Sequence, residues 1–252
     1  MNCVRALFLL ALCMPVSAAQ SGGPEEQDEA GWSFTLAPYI WAVGFDGNLT
    51  IDGQEVEGDG DSKGFPGELS LTGGFLGHFE AQRGPWALAL SPVLVDVEID
   101  GDDSPPVDTN LALSGTIVEG FATYAIGAGW QVLGGVRYYA LDAEVEASLG
   151  GVPLPDLDAD KSWFDPILGL RYGSTFAERW SFQARADVGG FGIGSDFAWN
   201  ADTELGYRLA AWARLFVGYR ALDFDFADGS GSDRVEYDVR LWGPLFGVSF
   251  DL

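Results

Sequence analysis

The chain holds a single histidine, His78, with Glu80 two residues on. In an extended segment, residues two apart project from the same face, so this imidazole and carboxylate sit side by side. A carboxylate in that position can orient an imidazole as a general base. Spacing alone pairs no serine and no second carboxylate with them. The simpler reading is a histidine inside a polar network. No phosphate-cradling glycine loop, zinc-ligand spacing or nucleophile motif is present. The residues therefore point to no catalytic group, no cofactor and no bound metal.

Arginine usage says more. Apart from Arg5 there are ten arginines against two lysines. Guanidinium forks pair bidentately with carboxylates, which suits arginine to enclosed ion pairs. Arg137, Arg171, Arg185, Arg208, Arg214, Arg220 and Arg240 fall at positions expected to share one interior. Glu80, Asp96, Glu119, Asp165, Asp187, Glu204 and Asp238 are their candidate partners. Such a set either fills a narrow lumen with hydrogen-bonded pairs or lines a constriction that selects small anions.

Three acidic clusters could take divalent cations: Asp100, Asp102, Asp103 and Asp108; Asp156, Asp158 and Asp160; and Asp223, Asp225 and Asp228. Alternating aspartates can supply the oxygen ligands that hard cations need. None matches the calcium-loop pattern, so solvated acidic loops are the default. The net charge of −25 argues against nucleic acid as a partner.

The elements that must carry these groups are strands. After the first residues no run of about 18 apolar residues occurs, so no spanning helix is expected. From Trp32 onward, strand-like segments alternate with two kinds of connection. Residues 83–85, 127–129, 177–179 and 210–211 are very short. Residues 44–68, 100–107, 149–160, 194–196 and 228–233 are mostly longer, acidic and rich in glycine. Short turns at one end and long loops at the other are the habit of a transmembrane barrel. The expected fold is an all-β, antiparallel up-and-down barrel of ten strands: 32–43, 69–82, 86–99, 108–126, 130–148, 161–176, 180–193, 197–209, 212–227 and 234–252. Eight and twelve are the neighbouring counts. Twelve would follow if 44–68, where Asp52-Gly53 signals a hairpin, crossed the membrane. Ten strands lie nearer the packed than the open end of barrel sizes, which favours a filled lumen.

Tryptophans follow the same plan. Trp32, Trp86, Trp130, Trp180 and Trp212 each open a strand after the leader or a short turn, as a periplasmic aromatic girdle would. Trp41, Trp163 and Trp199 fall near the opposite ends. In 180–188, Trp180, Phe182, Ala184, Ala186 and Val188 alternate with Ser181, Gln183, Arg185 and Asp187, so apolar residues face lipid and charged ones the lumen. Near Pro92 and Gly243-Pro244 the apolar parity flips, as an inserted bulge residue would cause. Trp212 shares parity with Arg214 and Arg220, which implies a bulge or an interior tryptophan.

The start of the chain has the layout of a cleaved secretory signal. Arg5 precedes a short apolar run to Met14, Pro15 breaks it, and small residues follow to Ala19. The expected organisation is a signal at 1–19, a disordered polar leader at 20–31 and a barrel over 32–252. Both cysteines, Cys3 and Cys13, fall within the signal, so no disulfide framework is expected.

Four stretches resemble a broad group of uncharacterised Gram-negative outer-membrane β-barrel proteins: WSFTLAPYIWAVGFDG (32–47), GGFLGHFEAQRGPWAL (73–88), WFDPILGLRYG (163–173) and RADVGGFGIGSDFAWN (185–200). The last six residues, GVSFDL, resemble the C-terminal signal read by the barrel-assembly machinery. The resemblance implies an OmpA-like or small porin-like barrel in the outer membrane, with the bilayer and lipopolysaccharide as its surroundings. It implies no substrate and no catalytic residue. The expected role is non-enzymatic, either structural or a slow channel for small solutes. Two other readings are a hydrolase or acyltransferase using His78, and a soluble lipocalin-like barrel with an apolar lumen.

Overall fold

A computed structural model describes residues 31–51, 54–58, 69–100, 107–149, 152–153, 157–231 and 234–252. The expected signal, the leader up to residue 30 and the Asp52-Gly53 turn lie outside the described residues. The strands are β1 Ser33–Trp41, β2 Gly44–Ile51, β3 Gln54–Gly58, β4 Leu69–Arg83, β5 Trp86–Asp100, β6 Val107–Gly127 and β7 Trp130–Leu149. They continue with β8 Val152–Pro153, β9 Leu157–Phe176, β10 Trp180–Gly189, β11 Phe197–Ala210, β12 Ala213–Asp228 and β13 Val235–Asp251.

Ten of these form a closed antiparallel ring in the order β1-β4-β5-β6-β7-β9-β10-β11-β12-β13, and β13 pairs back onto β1. Closure satisfies the backbone groups of every stave without an edge. The segment at 44–58 does not add a crossing. β2 runs beside β13 in the same register as β1, from Gly44 opposite Trp242 to Thr50 opposite Glu236, and β3 folds back on it. It is β1 prolonged past a two-residue break. At that break the Gly243 backbone approaches so closely that a Cβ would lie 2.0 Å from the Ala42 carbonyl oxygen. Trp41 Nε1 also donates to the Gly243 carbonyl at 3.2 Å, so glycine there is a packing requirement. β9 begins four residues earlier than expected, and β10 ends four earlier, at Gly189.

The barrel has two ends. The short turns and both β1 and β13 termini define the turn end; the long connections define the loop end. On the outer face, from the turn end upward, runs a band of exposed apolar side chains including Leu36, Leu90, Val136, Leu168 (60% exposed), Leu205 and Val217. At its lower rim Trp32, Trp86, Trp130, Trp180 and Trp212 are all exposed. Three of them pack on tyrosines of neighbouring staves: Trp86 on Tyr124, Trp130 on Tyr172 and Trp180 on Tyr207, at ring separations of 4.7–5.0 Å. Trp212 lies outside against Phe250, and a register irregularity between Arg208 and Ala210 accompanies its turn. A soluble lipocalin-like barrel would put this apolar face inside.

Toward the loop end the pattern inverts. On β12, Leu215, Val217 and Tyr219 point outward below, while Asp223 and Asp225 occupy the same face above. The inward face changes from Arg214 and Arg220 to Leu222, Phe224 and Phe226. β13 does the same: Val235, Tyr237 and Val239 are buried, and Glu236, Asp238 and Arg240 lie outside. Bulges near Pro92 and Gly243-Pro244 are not what flips the parity. β12 and β13 pair without a register shift through Tyr219–Pro244 and Arg220–Gly243, and β5 pairs β6 without one through Pro92–Val118. The solvent outside changes instead. Beside hydrocarbon the charged groups turn inward; above it water takes the charges and the apolar groups pack in the lumen. Among the described residues, register shifts lie at Leu71/Gly73, Ala125/Gly127 and Arg208/Ala210.

Candidate functional site: a two-layer plug above a blind vestibule

Midway up the lumen, Glu119 on β6 is the hub of an enclosed ion network. Its Oε1 accepts from Arg137 Nε at 2.8 Å and Arg220 Nη2 at 2.6 Å, and its Oε2 accepts from Arg185 Nη1 at 2.8 Å. Arg137 Nη2 donates to Asp187 Oδ1 at 2.7 Å, and Asn200 bridges Asp187 to Arg220. These groups come from β6, β7, β10, β11 and β12, so the network spans the lumen from wall to wall. Alternation puts each on the inner face, and the tightly spaced staves bring them within reach. Arg137 and Glu119 are at most 1% exposed, so each charge depends on its partners.

Above this lies an aromatic layer. Trp163 stacks on Phe226 at 3.9 Å and on Tyr139 at 4.8 Å, and Phe224 and Tyr237 pack around them. Trp163 Nε1 donates to Ser195 Oγ at 2.9 Å, and the Ser195 backbone N–H donates to Asp165 Oδ1 at 2.7 Å. The β10–β11 connection is thereby drawn onto the inner wall. Trp41 and Trp163, expected near a second rim, are core residues instead; only Trp199, half-buried with Arg240 against its ring, is near the outside.

Below the network is a cavity of about 560 Å³ that opens at the turn end and is closed inward by Glu119, Arg185 and Arg220. His78, Glu80, Ser91, Arg171, Asp202, Glu204, Arg214 and Ser249 line it. Glu80 accepts two bonds from Arg171, whose Nε donates to Gln131 at 2.6 Å. His78 Nδ1 is 2.8 Å from Ser91 Oγ, and its Nε2 is 3.6 Å from Glu80 Oε2.

The other expected network members are placed as follows. Asp165, directly across from Arg137 in register, binds the Ser195 N–H and not the arginine. Arg214 contacts Asp251 at 3.6 Å near the mouth, and Arg208 is exposed at the turn end. Arg240 and Asp238 do not face the lumen. Both lie on the outer face above the apolar band, where Arg240 donates to Asp223 at 2.7 Å. The parity that made them look interior belongs to the region where inside and outside exchange polarity. Of the third acidic cluster, Asp223 is held by Arg240 and Asp228 by Lys161 at 2.7 Å. Among the described residues no group of three potential ligands converges on a metal position.

Ser91, Asn200, Tyr139 and Ser195 were missed by spacing. For Ser91 a signal existed: the hairpin closes at Arg83–Trp86, and counting its register outward sets 91 opposite 78. Asn200 and Ser195 carry no comparable mark: Asn200 sits opposite Asp187 on the adjacent stave, but no tight turn joins β10 to β11 from which that register could be counted, and Ser195 lies in the connection itself.

No protein-family model matches the chain, and no curated protein matches it. Among solved structures it is similar to the outer membrane protease OmpT of Escherichia coli, with 7% identity, a TM-score of 0.51, and coverage of 89% of this chain and 97% of that one. The fold is that of an outer-membrane barrel. The Ralstonia pickettii toluene transporter TbuX aligns over 88% of this chain and 89% of its own, at 8% identity and a TM-score of 0.40. Ail of Yersinia pestis aligns over 88% and 99%, at 11% identity and a TM-score of 0.38. The fold likeness rests on the first of these, and at such identity it extends to no residue's role.

Proposed function

We propose that this protein is an integral barrel of the Gram-negative outer membrane whose lumen is closed to solutes, with the turn end toward the periplasm. The observation that carries the reading is Glu119 bound by three arginines from three staves, directly beneath a packed aromatic layer. A selective pore needs a continuous hydrated path, and charges saturated by one another offer a permeant anion no vacancy. The outward apolar band with its tryptophan rim supports residence in a bilayer. The final residues support assembly there: Gly247 and Phe250 pair with β1, and the Leu252 N–H donates to the Phe34 carbonyl at 2.8 Å, completing the seam.

Single-channel recording on the refolded full chain tests closure. The expected trace is flat; sustained unitary steps overturn it. Membrane fractionation tests residence, with the chain expected in the outer-membrane fraction.

A further inference from the structure

The vestibule contains an arrangement that neither the fold nor the closed lumen requires. Ser91 on β5 and His78 on β4 face each other across the hairpin with Oγ and Nδ1 2.8 Å apart. With its proton on Nε2, the imidazole accepts from the serine hydroxyl and turns its N–H toward Glu80 Oε2, 3.6 Å away. One tautomer satisfies both contacts. Glu80 is fixed by two hydrogen bonds from Arg171, so the carboxylate is held independently of the histidine. Phe121 packs against His78, and the Arg185 guanidinium lies 4.3 Å from the Phe121 ring centre. Arg185 Nε has no hydrogen-bond partner although it is buried, and the guanidinium is held by Glu119, the register partner of Ser91, and by Asp187, each at 2.8 Å. Hydroxyl, base and orienting carboxylate thus border one cavity open at the turn end, with the Arg185 guanidinium in its inner wall.

The geometry points to Ser91 as a nucleophile activated by His78, acting on small carboxylic esters admitted from the turn end. Ser91 Oγ bonds to the ester carbonyl carbon as its proton passes to His78 Nδ1, and Arg185 stabilises the oxygen that gains charge. Collapse breaks the bond to the alkoxy group, which leaves with the proton from His78 as an alcohol. A water molecule, deprotonated by the same nitrogen, then attacks the acyl-serine, releases the carboxylic acid and restores the Ser91 hydroxyl. Glu80 is a positioning residue, keeping the imidazole in the required tautomer. The proposal needs the vestibule and not the outer-membrane orientation.

The test uses the refolded full chain in detergent and in phospholipid bilayers, with an alkyl fluorophosphonate. Ser91 Oγ bonds to phosphorus, fluoride leaves, and the hydroxyl proton goes to His78. The expected result is one adduct, mapped by mass spectrometry to Ser91 in the unaltered protein, which requires no variant to fold. His78→Gln, checked for wild-type β-sheet signal and gel mobility, is expected to slow labelling at least about 100-fold. Glu80→Gln is expected to lower the maximal labelling rate with the half-saturating reagent concentration unchanged. No adduct, an adduct elsewhere, or labelling indifferent to His78→Gln overturns the assignment. A conducting lumen would overturn the closed-barrel reading and leave Ser91 labelling untouched, so the two failures are distinguishable.

Discussion

Glu119 and Arg220 stand on opposite walls of the barrel, on β6 and β12, and meet across the lumen at 2.6 Å. Their contact makes the interior a cross-braced structure, because Arg137 and Arg185 share the same carboxylate. Replacing Glu119 with alanine would leave three guanidinium groups facing one another without their common acceptor. Loss of one partner from a buried pair destabilises by about 3–5 kcal/mol. Denaturant unfolding of Glu119→Ala in bilayers should show a loss of at least that size, and a change below about 1 kcal/mol would mean that water already screens the hub.

The two layers block the lumen in series. Glu119→Ala alone should therefore remain non-conducting, since the Trp163–Phe226 stack still fills the upper lumen. Trp163→Ala alone should also stay closed, because the ion network is untouched. Unitary steps should appear only when both layers are opened. Steps from either single variant would show that one layer is the sole barrier.

Height along the barrel should govern the effect of outward charges. Leu168 is exposed in the middle of the apolar band, and Ala227 is exposed near the loop end. Leu168→Arg should destabilise the bilayer-inserted barrel by about 2–4 kcal/mol, and Ala227→Arg by about 0–1 kcal/mol. Equal effects would mean that the band does not mark the hydrocarbon.

Above the band, Asp142 on β7 lies directly opposite Asp160 on β9. Burial, followed by the Asp160 charge and a hydrogen bond with it, raises the Asp142 carboxyl above the ordinary aspartate range. A raised carboxyl binds its proton more tightly folded than unfolded, so stability rises as pH falls through the folded value and levels off below the unfolded one. Asp142→Asn should stabilise the protein at neutral pH, and the advantage should vanish in acid. Unfolding midpoints of both proteins across that range check it; an advantage independent of pH would remove the electrostatic cause.

The fold was legible because two sequence signals are local. Alternation in 180–188 sorts each side chain to a face, and the contrast between turns such as 83–85 and loops such as 44–68 sets the stave count. The interior was less legible. Arg185 and Asp187 can be assigned to the lumen from parity, but their partners Glu119 and Arg137 lie on other staves, and nothing in the order of residues sets distances across a ring. Arg240 marks the limit of alternation: parity sets which side chains share its face but carries no record of the height at which hydrocarbon gives way to water, and so does not say which face takes the charge.

Sequence by itself therefore determined a closed antiparallel barrel, because a period of two fixes facing and an unpaired strand edge is not tolerated in lipid. Tertiary structure alone decided that three arginines share Glu119, that Trp163 and Phe226 cap them, and that Ser91 meets His78. Those contacts depend on how ring closure and register bring separate staves together, and that geometry belongs to the whole barrel and to no single segment of it.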